Sequence, residues 1–201
     1  MEREGAPRRR TGGRSARVRE AVLAAALAQV AEHGFEGLRI AEVATRAGVA
    51  ETTVYRRWST PTALVADAVT ELAAHGNPAP DTGDLRTDLL QVAQQIVALL
   101  ARPGMARLVG TTLAMSHDDE VDAARRRFWD TRFEGIAPVI ERAVDRGELT
   151  GLVTARDVIE TVAAPIYFRI LVGGAAPDDA FVGRCVDDAL VLITARASRE
   201  A

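Results

Sequence analysis

Between Thr52 and Trp58 the chain places two hydroxyls, a phenol and two guanidiniums on one short run, TTVYRRW. A helix advances about 100° per residue, so Val54 and Trp58 point one way along this run. Thr52, Thr53 and Arg56 then point roughly the opposite way, with Tyr55 and Arg57 on the flanks. Side chains of these types read nucleic acid. Thr exchanges a hydrogen bond at a base edge or packs its methyl on thymine, and Arg forks onto guanine or holds a phosphate. A flanking Tyr and Arg suit the phosphate walls of a groove. Arg39 opens the preceding helix in place of a Ser or Thr cap and is a further candidate phosphate contact.

The elements that must hold these groups are legible on either side. Ile40, Val43, Ala44 and Ala47 recur at i, i+3, i+4 and i+7, one buried helical stripe. Gly48 ends that helix, Val49 plugs the turn, and a second helix starts near Ala50 or Glu51. The pattern is a helix-turn-helix with the reading helix in second place. The competing reading is an ordinary αα-hairpin with a polar surface. Upstream, a helix from about Ser15 to His33 carries Val22, Leu23, Ala26, Leu27 and Val30 inward, Gly34 ends it, and Phe35 folds back as a plug. Downstream, Thr60 caps a helix with Pro61 in its first position, running through Leu64, Val65, Ala68, Val69 and Leu72 to about Gly76.

Residues 1–13 cannot bury a core and are predicted to form a mobile arm carrying Arg8, Arg9 and Arg10. Such an arm either lies in a minor groove or remains a solvated tail, and both readings stand. The stretch NPAPDTG, residues 77–83, is the sharpest compositional break. It divides a predicted DNA-binding domain, 14–76, from a second domain, 84–201. There Asp84 caps a helix to about Ala101, and shorter and longer helices follow over about 105–115 and 119–146, the latter bent at Pro138. Thr154 and Asp157 form a capping box for a nearly all-apolar helix over about 155–171, and a last helix spans about 178–197. The fold class is all-α, with about nine helices.

The apolar bands on the last two helices are wider than one small domain needs. Two copies packed as a four-helix bundle would cover them, and two-fold symmetry would give two reading heads for a palindromic site. Plain core packing is the alternative.

Charge supports the division of labour. The net charge is −3 and every one of the 25 basic residues is Arg. Yet residues 1–19 carry seven Arg against Glu2 and Glu4, while residues 76–201 carry 14 Arg against 19 acids. A positive end on a negative body suits one face for phosphates and another for a different task. The all-Arg usage itself reads as GC-rich codon bias.

Enzymatic chemistry finds little support. His33, His75 and His117 are isolated, so no metal site is predicted, and Cys185 sits in an apolar helix as an inert thiol. There is no phosphate-cradling Gly loop and no Ser nucleophile elbow, and no cofactor is implied. One cysteine excludes an intrachain disulfide framework, no apolar run approaches a membrane span, and the amino terminus lacks a secretory core. The expectation is a cytoplasmic protein.

The stretch GLRIAEVATRAGVAETTVYRRWSTPTALV resembles the DNA-binding signature of the TetR family of bacterial transcriptional regulators. The resemblance rests on Ile40–Val43–Ala44, the Ala47–Gly48–Val49 turn, Thr53–Val54–Tyr55, Trp58, and Ala63–Leu64, and covers about the first 75 residues. Three positions depart from the pattern: Ala50 in place of a Ser or Gly cap, Glu51 where Lys is common, and Pro61 where a phosphate-binding Lys is usual. The resemblance implies double-stranded DNA as partner, a homodimer through the last two large helices, and a small-molecule effector in a cavity within residues 84–175. Met105, Met115, Trp129, Phe133, Tyr167 and Phe168 are candidate lining residues, with Arg132 or Arg169 as polar anchors. The implied function is a ligand-responsive regulator, read as a repressor. The alternative is a helical dimer that binds a small molecule or a protein and has lost DNA binding.

Overall fold

The structure, a computed structural model, describes residues 12–76, 78–114, 119–150 and 152–200. Residues 1–11 of the Arg-rich arm, Asn77, Met115 and His117 lie outside them. Nine α-helices form among the described residues, without a strand: α1 (Gly12–His33), α2 (Ile40–Ala47), α3 (Glu51–Tyr55), α4 (Pro61–Gly76), α5 (Leu85–Leu100), α6 (Met105–Ala114), α7 (Asp119–Asp145), α8 (Ala155–Tyr167) and α9 (Asp179–Glu200).

The small apolar palette places the core. Val22, Ala26, Val43, Val54 and Leu64 are buried where α1 packs on α2 and α4. Leu89, Val92, Ile136, Val139, Val158, Ile166 and Val186 fill the space among α5, α7, α8 and α9. The two regions join in one cluster, because α4 packs along α7. At the start of α4 the Thr60 hydroxyl caps Ala63 N–H at 3.1 Å and also bonds the Glu120 carboxylate of α7.

Residues 78–84, which carry no helix, are strapped down by polar contacts. The fully buried Asp88 of α5 accepts from the Thr82 N–H at 2.8 Å and its hydroxyl at 2.7 Å. Arg142 of α7 pairs with Asp81 at 3.1 Å and bonds the Pro80 carbonyl. Asp84 caps α5 by accepting from the Thr87 N–H at 2.8 Å, and the Thr87 donors hold its carboxyl below the usual range.

Several boundaries differ from the sequence reading, and α9 runs to Glu200 rather than about Ala197. α1 begins at Gly12 rather than Ser15, a displacement within the ordinary fraying of a helix end. α3 ends at Tyr55, although Trp58 N–H still donates to the Val54 carbonyl at 2.9 Å, so the last helical turn carries on through Arg56 and Arg57. The helix predicted to reach Leu171 stops at Tyr167 and widens into a π-helical turn, Phe168–Val172. The wide turn closes with Gly173 N–H on the Phe168 carbonyl at 2.9 Å. A Cβ on Gly173 would meet the Arg169 carbonyl at 2.9 Å, so the closure needs a residue without a side chain.

Candidate functional site

The reading head is built from its apolar backs. Val54 is fully buried and Trp58 is 5% exposed, which fixes the roll of α3. Gly48 takes φ 67°, ψ 35°, and its N–H and that of Val49 close the end of α2 on the Thr45 and Ala44 carbonyls. With the roll fixed, Thr52, Tyr55, Arg56 and Arg57 are exposed and Thr53 is half-buried. The Arg56 guanidinium makes no ion pair or hydrogen bond with another described residue, whereas Arg57 lies 5.5 Å from the centre of the Trp58 ring. Arg39, at the start of α2, is exposed, and its guanidinium already donates to the Glu36 and Leu38 carbonyls at 2.9 and 3.0 Å. That arrangement stiffens the entry to α2 and leaves its other guanidinium nitrogens without a partner among the described residues.

Two supports escaped the sequence reading. Gln29, fully buried in α1, accepts the Arg39 backbone N–H at 3.0 Å and donates to Glu42 at 3.2 Å, pinning the start of α2. The signal was a polar residue within the Val22–Ala26–Val30 stripe. Asp67 of α4 accepts the Trp58 indole N–H at 2.9 Å on one oxygen and Arg19 at 2.7 Å on the other. Arg19 reaches on to Glu71 at 2.5 Å. The back of the reading helix, α1 and α4 are thus joined through one carboxylate.

A second site lies where α4 meets α6, α7 and α8. A cavity of about 540 Å³ is walled by Val65 and Val69 of α4, Met105 and Leu108 of α6, Phe128, Trp129 and Phe133 of α7, and Ile159 and Tyr167 of α8. Phe35, in the connection between α1 and α2, also reaches it. Arg125, Arg126 and Arg156 stand among its lining residues with Asp130 and Glu160. Trp129 is the hub of the aromatic wall: Phe128 meets it edge-on at 5.3 Å, Phe133 lies nearly parallel at 5.8 Å, and Tyr167 is tilted at 5.8 Å. Burial pushes the Tyr167 phenol up to about 12.

Of the candidate lining residues, Met105, Trp129, Phe133 and Tyr167 are brought together, and Met115 lies outside the described residues. Phe168 is a correction. It is 66% exposed and away from the cavity, because it follows Tyr167 by one residue and adjacent residues leave a helix about 100° apart. Arg169 is a second one: its guanidinium sits 3.8 Å from the Phe181 ring centre, off the cavity wall. Arg132 is buried behind the wall, near enough to Tyr167 for charge to couple them, but it is not itself a lining residue. No group of three or more metal-ligating side chains occurs among the described residues.

An amphipathic helix pair displaying Thr and Arg, backed by a third helix and wired to a helical body, defines a helix-turn-helix DNA-binding transcriptional regulator. Residues 22–68 match the family of bacterial regulatory proteins, tetR family, and residues 79–189 match the tetracyclin repressor-like C-terminal domain. The chain belongs to the TetR family. It is 35% identical over 187 residues to the DNA-binding transcriptional repressor TetR of Mycobacteroides abscessus, covering 89% of this chain and 95% of that one. It is 34% identical over 157 residues to the HTH-type transcriptional regulator AqdR of Rhodococcus erythropolis, covering 78% of this chain and 76% of the other. Its fold is similar to the crystal structure of the TetR family transcription regulator SCO0332, with a TM-score of 0.75 and 27% identity over 87% of this chain and 97% of that one. It is also similar in fold to the transcriptional regulator FadR of Bacillus subtilis in complex with stearoyl-CoA, at TM-score 0.62 and 16% identity over 87% and 97% of the two chains.

Proposed function

We propose that this regulator is a ligand-responsive repressor that binds a palindromic operator as a homodimer, and that occupation of the cavity lowers its affinity for DNA. The observation that carries the reading is the shared wall. Val65 and Val69, which line the cavity, belong to the same helix as Asp67, which holds Trp58 behind the recognition helix. A molecule wedged against α4 displaces the part that sets where Thr52, Thr53, Arg56 and Arg57 stand. Two reading heads must lie about 34–36 Å apart to enter successive major grooves, so a modest change in α4 is enough to spoil the spacing. The ligand acts by preferring the other spacing and shifting the population toward it. The stearoyl-CoA complex of FadR is a precedent in the same fold for a ligand-holding regulator.

In this reading Arg56 reads a base, while Arg39, Tyr55 and Arg57 hold phosphates and the two threonines face the groove floor. α8 and α9 form the dimer, and the protein works in the cytoplasm where its DNA is. Selection of random duplexes on the purified protein tests it. Enrichment of a palindrome with half-sites about one helical turn apart is expected. Arg56→Ala should relax preference at one base pair per half-site, worth about 1–3 kcal/mol of discrimination, while Arg57→Ala weakens all sequences alike. Selection that enriches nothing would leave instead a helical ligand- or protein-binding dimer without an operator, a reading to which Glu51 and Pro61 lend their weight.

A further inference from the structure

The chain is poor in aromatic residues: five Phe, two Trp and two Tyr in 201 positions. Five of those nine, Phe35, Phe128, Trp129, Phe133 and Tyr167, line the cavity of about 540 Å³. The rest of the core is Ala, Val, Leu and Ile with few exceptions, so packing in this protein does not require rings. Rings concentrated on one cavity wall, held edge-on and nearly parallel around Trp129, offer π-faces and π-edges to a flat guest. Arg156 braces this wall by covering one face of Phe133, its guanidinium over the ring at 4.3 Å from the centre.

A second observation concerns charge. Arg132 is 7% exposed and makes no ion pair or hydrogen bond with another described residue. Its nitrogens keep some access to solvent, but a largely buried positive charge still favours an anion nearby. The group that its charge reaches is the Tyr167 phenol. Burial keeps that phenol protonated far above neutral pH, so it does not supply the missing negative charge. The Tyr167 hydroxyl is itself without a hydrogen-bond partner among the described residues, and Tyr167 lines the cavity. An anion on the cavity side of Tyr167 would accept from that hydroxyl and offset the guanidinium behind it, without Arg132 having to touch the ligand. Arg126, also on the lining, has no ion-pair partner among the described residues, whereas the lining carboxylates Asp130 and Glu160 are paired with Arg156 at 3.9 and 3.3 Å. A wholly apolar guest would leave both needs unmet.

We infer that the effector is a flat aromatic acid, its rings against the Phe128–Trp129–Phe133 wall and its anionic group at the Tyr167 hydroxyl in the field of Arg132. This rests on the regulatory reading of the cavity given above and names the chemistry it selects.

Calorimetric titration of the full chain with three probes tests the assignment: anthracene carboxylate, anthracene methanol and laurate. The carboxylate is expected to bind at least about tenfold more tightly than either the neutral aromatic alcohol or the aliphatic acid, since a charge-assisted hydrogen bond and ring stacking each favour it. Tyr167→Phe and Arg132→Met should each erase most of the preference for carboxylate over alcohol while leaving alcohol binding within about twofold. Trp129→Leu should weaken both aromatic probes and spare laurate. If Arg132→Met fails to fold by circular dichroism, Tyr167→Phe decides alone. Equal binding of carboxylate and alcohol overturns the acid, binding of laurate as tight as the aromatic acid overturns the aromatic preference, and no binding of any probe overturns both. A gel shift with the same probes separates this from the regulatory reading. Carboxylate that binds but leaves the protein on DNA refutes the reading and keeps the ligand class, whereas laurate that binds and releases DNA does the reverse.

Discussion

A single carboxylate carries much of the geometry of the reading head. Trp58 anchors the back of α3, and its indole N–H ends on Asp67, whose other oxygen holds Arg19. Asp67→Ala strands a buried indole donor and leaves Arg19 held by Glu71, and should cost about 1–3 kcal/mol in urea unfolding. Asp67→Asn keeps an oxygen for the indole and should recover part of that loss. Because Asp67 lies on α4, behind the exposed Thr and Arg side chains, a structural role alone predicts unchanged DNA affinity wherever the variant is still folded. A positioning role predicts weaker binding at the same temperature, and fluorescence anisotropy with a selected operator distinguishes the two. This part of the site could not be read from the chain, since Asp67 and Arg19 are 48 residues apart and neither is unusual in its local pattern. The exposed face of α3 was legible for the opposite reason: the periods that bury Val54 and Trp58 also fix which neighbours face water.

At the level of elements, one glycine sets how the head meets the body. Gly104 precedes α6 with φ +76°, and a Cβ there would lie 2.7 Å from the Ala31 Cα and 2.9 Å from the Val30 carbonyl of α1. Backbone atoms cannot swing aside, so α1 and the start of α6 touch through their main chains. Gly104→Ala should cost at least about 2 kcal/mol, from the left-handed conformation and the contact together. In a chain of this size that is a fall in Tm of about 4–8 °C. Gly110, inside α6 with open space around its Cα, is the control. Gly110→Ala should leave Tm unchanged or raise it, because alanine is the better helix former. Equal responses at the two glycines would show that the helices do not approach as described. The sequence marked Arg102–Pro103–Gly104 only as a break, since what fills the space around a turn is a tertiary fact. The caps at Thr60, Asp84 and Thr154 were legible because their partners lie three residues away. The π-helical turn was not, and with it went the placement of Phe168: Tyr167 and Phe168 look alike as aromatic neighbours, but only one faces the cavity.

The whole molecule leaves a set of large apolar side chains in water at its carboxy-terminal end. Phe168 and Val172 on the π-helical turn are 66% and 71% exposed, and Val191 and Leu192 on α9 are 69% and 51% exposed. Phe168, Val191 and Leu192 belong to the segments that the sequence predicted to pair and Val172 follows the first of them directly, while the buried faces of the same helices are already spent on the core. In the proposed dimer they meet their counterparts across a two-fold axis. A charge at Val191 should therefore act on assembly and not on folding. Val191→Asp in a single chain is a surface change worth within about 0.5 kcal/mol, but placed twice in an apolar interface it sets two carboxylates in a poorly hydrated seam. Sedimentation velocity should show a dimer for the natural chain and a monomer for Val191→Asp, with the helical signal by circular dichroism retained. Operator affinity should fall by about 10²–10⁴-fold, because each head then binds its half-site without the other tethered nearby. Binding to an isolated half-site should stay as it was, since Val191 is far in sequence and fold from Thr52–Arg57. A variant that remains dimeric with full operator affinity would move the two-fold axis off α9, and the spacing argument that links the cavity to DNA would have to be rebuilt on another face.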